Sequence, residues 1–336
     1  MFTEYLKKLV DRVDLTFDEA INAMELIMDG NTTSAQLASF ITALTMKGET
    51  VDEVAGMAFV MREKSLKIEM ISDLVDTCGT GGDGYKTFNV STAAAFVSAG
   101  AGVKIAKHGN RAMSSKTGSA DVLEALQINI DITPEMVSKC IEETNFGFMF
   151  AQIFHPAMKY AGPTRKEIGI RTIFNILGPL TNPAFATKQL IGVSNPKVAD
   201  TMIRALKKLG SERVMICNGL DGLDEITISG ATKLWNLDQN TISTMEIYPE
   251  LFGLKSSTIG SIQVDTALES AKVIQSVLEG ELGSARDIVL LNSAATILIA
   301  GKVSDINDGI EMASDSIDNG YALHCLNSVK SLTQSG

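Results

Sequence analysis

Three stretches of this 336-residue chain carry side chains whose types and spacing could hold a phosphorylated ligand. The first is Cys78-Gly-Thr-Gly-Gly-Asp-Gly84, directly after the apolar run LVDTC, which reads as a buried strand. Glycines without a Cβ let backbone N–H groups approach phosphate oxygens closely. Asn89-Val90-Ser91-Thr92 then opens a helix, and a helix N-terminus is a further anion site. The second follows the strand-like VKIAK (103–107): its loop supplies Lys107, Arg111 and Lys116 as cations and Asn110, Ser114, Ser115 and Ser119 as neutral donors. An arginine fork and a lysine point charge both suit phosphate. The third is Asp221-Gly-Leu-Asp224-Glu225, whose hard oxygens suit Mg²⁺. Alone it reads as a polar turn; beside a phosphate site it reads as a metal loop that would offset charge on a leaving group. Between the Gly162-Pro163 and Gly178-Pro179 turns lie Arg165, Lys166 and Arg171. Arg165 can hold a carboxylate bidentately, or serve as a helix-surface ion-pair partner.

Gly79, Gly81 and Gly84 also match the spacing G-x-G-x-x-G after a strand. A dinucleotide site of that kind needs an acidic ribose-binding residue about 20 residues further on. None is present: from Gly84 to Ala120 there is no Asp or Glu, while Lys86, Lys104, Lys107, Arg111 and Lys116 make the stretch +5. The whole chain is −11, so the remainder is −16. An acidic protein repels nucleic-acid backbones, whereas a local basic window suits a small anion.

The elements that must position these residues follow from pattern. Residues 1 to about 65 read as helical. Thr16-x-x-Glu19, Thr33-x-x-Gln36 and Thr50-x-x-Glu53 are three capping boxes, each opening an amphipathic segment. Gly30 and Gly48 sit where helices should stop. From Leu74 strands alternate with helices: LVDTC, VKIAK, GFMFA (147–151), QLIGV (189–193) and RVMICNG (213–219), with TKLWNL and STMEIY as exposed strands or a hairpin. Alternation predicts an α/β unit with a largely parallel sheet covered on both faces. Three long helices are expected in the C-terminal third, the last spanning DINDGIEMASDSIDNGYALHCLNSVKSL. The scattered cysteines Cys78, Cys140, Cys217 and Cys325 read as free thiols of a reducing compartment, and no apolar run of about 18 residues is long enough to span a membrane. A cytoplasmic location is expected.

GTGGDG (79–84), NVSTAAAF (89–96), KHGNRAMSSKTGSADVLEAL (107–126), GIRTIFNILGPLTNPA (169–184) and DGLDEIT (221–227) together resemble the anthranilate phosphoribosyltransferases of tryptophan biosynthesis. The match runs in order over nearly the whole chain; one small departure is Gln127, where the family usually has Gly after LEAL. The resemblance implies transfer of the phosphoribosyl group of phosphoribosyl pyrophosphate (PRPP) to the amine of anthranilate. It implies the nucleoside phosphorylase/phosphoribosyltransferase-type fold: a helical domain over 1–70, joined by a helical segment near 165–185, and an α/β domain over 71–336. It also implies Mg²⁺, two per site, and a homodimer formed through the helical domain, without nucleic acid or membrane.

By the same resemblance, Gly79, Gly82, Asp83, Thr87, Asn89, Val90, Ser91 and Thr92 would hold PRPP, together with Lys107, His108, Gly109, Asn110, Arg111, Ala112, Met113, Ser114, Ser115 and Ser119. Ser91, Asp224 and Glu225 would hold metal. Arg165 and Asn110 would hold anthranilate, with Gly79, His108 and Pro179 near it. Lys107, His108 and Arg165 would take part in catalysis: Lys107 against charge on the departing pyrophosphate, His108 assisting amine deprotonation, Arg165 orienting the acceptor. His155 and His324 read as structural. A pyrimidine-nucleoside phosphorylase would share the architecture but lacks the GIRTIFNILGPLTNP string; a nucleic-acid-binding relative would need a basic surface.

Overall fold

The computed structural model describes residues 2–68, 73–111 and 118–334. The chain begins with four helices, α1 (Phe2–Val10), α2 (Phe17–Met28), α3 (Ser34–Lys47) and α4 (Val51–Glu63). All three capping boxes form, with Thr16, Thr33 and Thr50 each accepting an N3 amide and Glu19, Gln36 and Glu53 each reaching back. Each satisfies two amide groups that the helix itself cannot. The predicted apolar faces turn inward: Leu37, Phe40, Ile41 and Leu44 of α3 are all buried. Helix α1 carries no capping signal and escapes the sequence pattern. It is held by tertiary packing, its Phe2 ring 5.1 Å from that of Phe40.

The sheet is built from β1 (Val75–Gly79), β2 (Ile105–Gly109), β3 (Phe146–Phe150), β4 (Lys188–Gly192), β5 (Arg213–Gly219), β6 (Thr232–Asp238) and β7 (Thr241–Ile247). Their order is β3-β2-β1-β4-β5-β6-β7. The first five are parallel, and β6 and β7 add an antiparallel hairpin, with Trp235 opposite Thr244. Gln239 and Asn240 turn that hairpin with φ of 44° and 72°, the left-handed pair such two-residue turns require.

Helices cover both faces. Among them are α5 (Val90–Gly100), α6 (Ser119–Ala125), α7 (Pro134–Thr144), the short α8 (Ala151–Phe154), α9 (Gly162–Ile168), α10 (Ile173–Leu180) and α11 (Ala199–Lys208). Alternation along β4 and β5 divides the core. Leu190, Met215 and Cys217 face a cluster with α5 and the C-terminal helices, while Ile191, Val214 and Ile216 face one with α2–α4, α10 and α11. This period of two is why buried parallel strands read as continuous apolar runs. From mid-chain, α9 packs on α3 and α10 on α4.

The C-terminal part differs from expectation in one place. After α12 (Ala267–Leu278) and α13 (Ser284–Ala300), the segment expected as one helix is two, α14 (Ile306–Asp318) and α15 (Tyr321–Gln334). Gly320, at φ 74°, ends the first in the left-handed conformation that glycine adopts without a Cβ clash. Among the described residues no helix is long and apolar enough to cross a membrane.

Candidate active site

Strand order reverses between β1 and β4, and open α/β sheets bind ligands at the carboxyl ends of strands flanking such a reversal. A cleft of 1290 Å³ opens there. Its walls include Gly79, Gly82, Asp83, Thr87, Asn89, Val90, Ser91, Lys107, His108, Gly109, Asn110, Arg111, Ser119, Arg165, Pro179, Asp224 and Glu225. The structure thus brings together residues from five separate sequence strings. Ala112, Met113, Ser114 and Ser115 lie outside the described residues. Thr92 is the exception: it is fully buried in the first turn of α5 and gives the cleft no surface, its amide being taken by the Asn89 cap at 3.0 Å.

The glycine-rich turn leaves β1 and is pinned from two sides. Thr80 N–H donates to Gly192 O at 2.9 Å, and Ser194 Oγ donates to Gly81 O at 3.0 Å. From the opposite wall Arg171 donates through Nη1 to Gly81 O at 3.0 Å and through Nη2 to Thr80 O at 3.4 Å. A Cβ on Gly82 would sit 1.8 Å from Arg171 Nη1, so that glycine is what admits the guanidinium.

The acidic loop meets this turn. A Cβ on Gly192 would lie 1.6 Å from the Asp224 carbonyl oxygen, so the bare strand end lets the loop cross it. Burial and the like-charged Asp83 lift the Asp224 carboxyl to about 7, against the facing Gly81 amide, which favours its charged form. Burial and Asp224 push Glu225 well above the usual carboxylate range, although Lys107 and the Ser91 amide favour its charged form. Acids crowded so closely call for a cation. Among the described residues no three acidic, histidine or cysteine side chains form a ready-made cage. An acid pair open to the cleft suits Mg²⁺, which takes one or two carboxylates and leaves its other positions to water or phosphate.

Lys107 sits beneath this group, nearly sealed from solvent. Its ammonium donates to Thr77 O, to Thr77 Oγ1 at 3.3 Å and to Ser91 Oγ at 3.1 Å, with Asp76 and Glu225 as countercharges. All three protons are engaged, so Lys107 acts on the cleft through Ser91 and by its field. Asp76 also accepts the His108 amide at 3.1 Å. Sequence reading missed Asp76, because a lone acid inside an apolar strand carries no spacing signal.

Two expectations change. Arg111 turns away to pair with Asp121 at 3.0 Å and Glu124 at 2.8 Å on α6, which occupies its fork. The His108 ring lies 5.0 Å from that of His155, and burial with this neighbour depresses its proton affinity well below the usual imidazole range. His108 is therefore neutral and a weak base. His155 is buried and held down to about 4, as befits a structural residue.

Arg165, on α9, is a cation of the opposite wall. Its guanidinium stacks 4.7 Å over the Phe174 ring, burial lowers its proton affinity, and among the described residues no carboxylate lies within ion-pair reach. A partly desolvated guanidinium with its fork open is a receptor for a carboxylate.

Fold and cleft define a glycosyl-transferring enzyme. Residues 71–323 match the family model "Glycosyl transferase family, a/b domain", and residues 3–65 match "Glycosyl transferase family, helical bundle domain". The chain is 50% identical over 331 residues to the anthranilate phosphoribosyltransferase of Methylobacillus flagellatus, covering 98% of this chain and 97% of that one. It is 49% identical over 336 residues to that of Acetivibrio thermocellus, covering 100% and 97%. The Thermus thermophilus enzyme superposes with a TM-score of 0.93 at 37% identity, covering 98% of this chain and 99% of that one. The Saccharomyces cerevisiae enzyme in complex with PRPP and Mg gives 0.91 at 29%, covering 100% and 98%. A further yeast structure holds 4-fluoroanthranilate, at 0.89 and 28%, with the same coverage. The chain belongs to the anthranilate phosphoribosyltransferase family.

Proposed function

We infer that this chain transfers the phosphoribosyl group of PRPP to the amine of anthranilate, giving N-(5-phosphoribosyl)anthranilate and pyrophosphate in tryptophan biosynthesis. The observation that carries this reading is the opposition across one cleft of the glycine turn with its acid pair and the open Arg165 fork. The first suits a metal-bound pyrophosphate, the second an aromatic carboxylate.

In this reading amides of the 79–83 turn and of the start of α5 receive phosphate oxygens, helped by Thr87, Asn89, Val90, Gly109 and Ser119. Arg165 and Asn110 hold the acceptor carboxylate, and Gly79, His108 and Pro179 border the ring. Asp224, Glu225 and Ser91 hold Mg²⁺, two ions per site, which supplies Lewis-acid neutralisation of the leaving pyrophosphate. Displacement at the anomeric carbon passes through an oxocarbenium-like state, as in other glycosyl transfers. The chain's part is to orient the amine and to aim fixed donors at the departing oxygens. The amine carried on the new bond becomes an acidic arylammonium, so the weakly basic His108 or water suffices to take its proton.

The same reading divides the chain into a helical unit, 1–70, and an α/β unit, 71–336, with 165–185 packed on the former. It forms a homodimer through the helical unit, where Val10, Val13, Met46 and Phe59 are exposed, and works in the cytoplasm. It uses neither nucleic acid nor membrane.

The test is product analysis. One pyrophosphate should appear for each anthranilate consumed, and none with thymidine and phosphate as substrates. Phosphorolysis of thymidine without anthranilate turnover would replace this reading with the nucleoside phosphorylase one.

A further inference from the structure

Arg171 has a position that the roles above leave unused. It stands in the four-residue link Gly169–Thr172 between α9, which carries Arg165, and α10, which carries Phe174. Its guanidinium crosses the cleft and ends on the carbonyls of Thr80 and Gly81. Among the described residues no carboxylate pairs with it, so its charge is offset only by carbonyl dipoles and solvent. These two carbonyls precede the amides of Gly81 and Gly82. A peptide whose oxygen is held has its N–H fixed on the opposite side, and there the Gly81 amide faces the Asp224 carboxyl. Gly81, Gly82 and Gly84 have φ of 61°, 80° and 81°, so nothing intrinsic to the turn restricts it to this conformation. Ser194 fixes only one of the two oxygens with its hydroxyl.

We propose that Arg171 is a positioning residue for the donor half of the reaction: it clamps two peptides of the glycine turn and so holds the turn, and the Asp224 carboxyl that the Gly81 amide faces, in the arrangement that receives the pyrophosphate. Its place on the acceptor wall makes it a tie between the two halves of the cleft. The requirement is for a fork that spans two oxygens, which arginine supplies and lysine does not.

The inference rests on the proposed phosphoribosyl transfer, and the wild-type chain separates the two. If wild-type protein shows no PRPP-dependent consumption of anthranilate, the functional reading fails first. With activity present, Arg171→Gln and Arg171→Lys are compared by steady-state kinetics and thermal melting. We expect both variants to raise the KM for PRPP by about tenfold or more, the scale of a lost charge-assisted contact. The KM for anthranilate at saturating PRPP should move less than about threefold, and the melting temperature should stay within about 2 °C, as for a surface change of small ΔΔG. Three results would each overturn the clamp: an unchanged KM for PRPP in Arg171→Gln, a full rescue by lysine, or a loss of melting temperature with both KM values rising together.

Discussion

Asp224 and Asp83 bring two like-charged carboxyls together at the carboxyl end of β1, where the sheet order reverses and Asp224 Oδ2 lies 3.1 Å from the place a Cβ on Gly79 would take. Their mutual repulsion, together with burial, holds the Asp224 carboxyl at about 7. Sequence reading placed Asp83 with phosphate and Asp224 with metal; in the fold they share one spot. A cation there would remove the repulsion that the free protein carries.

Mg²⁺ should therefore stabilise the protein as well as activate it. Millimolar Mg²⁺ is expected to raise the melting temperature of the wild type and to leave Asp224→Asn/Glu225→Gln unmoved, with the Mg²⁺ requirement for turnover shifted upward in that variant. Chelation should abolish turnover. Differential scanning fluorimetry across a Mg²⁺ series checks the first point, and an unchanged Mg²⁺ dependence in the double variant would remove these two carboxyls from the metal site.

Arg165→Ala should separate the substrates. Its open fork has no internal partner to leave unpaired, so truncation costs contacts to the acceptor and little else. The KM for anthranilate is expected to rise about 10- to 100-fold, the range for a charged hydrogen-bonded contact, with that for PRPP changing much less. Kinetics with each substrate varied in turn give the answer; equal effects on both would contradict the assignment.

Acid should unfold the protein partly through His155. Its pKa is about 4 in the fold, against 6.5 when exposed. A depressed histidine contributes stability that is whole above 6.5 and lost as pH falls through about 4, roughly 3 kcal/mol over that window. The groups facing it are the neutral His108 ring at 5.0 Å and the backbones of Met61 and Thr181, so among the described residues no carboxylate compensates an imidazolium. Urea melts from about pH 7.5 to about pH 4 should show a shallower decline for His155→Gln; an identical slope would exclude this residue.

Gln127, one departure from the resemblance drawn on sequence, takes a backbone conformation that favours glycine. It follows α6 at φ 65°, a left-handed conformation that costs a residue with a Cβ about 1 kcal/mol relative to glycine. Its side chain recovers part of this by accepting from Lys330 on α15, and its carbonyl accepts from Gln334 at 2.8 Å. Gln127→Gly should be neutral or stabilising by up to about 1 kcal/mol, with unchanged turnover. A clear loss of stability in denaturant melts would show that the Lys330 contact outweighs the backbone cost.

What could be read from the chain was local. Thr16, Thr33 and Thr50 announce their helices because a capping box lies within four residues. The strand-end loops announce an anion site because their glycines and cations are contiguous. What could not be read is long-range. Arg171 finds Gly81 across 90 positions, and Arg111 is diverted to Glu124 by the way α6 packs. Lys107 looks like a phosphate ligand in sequence, yet β2 points it at Thr77 and Ser91, where burial demands that every proton find a partner. Thr92 shares a string with Ser91 but lies on the core side of α5. Residue type indicated the chemistry in each case; which face the residue shows depends on packing.

The most direct measurement follows the fluorescence of anthranilate mixed with the purified protein. The account predicts a steady loss of signal only when PRPP and Mg²⁺ are both present, stopped by chelator and absent when either is withheld. Undiminished fluorescence with both present, from protein that melts as a folded chain, would contradict it.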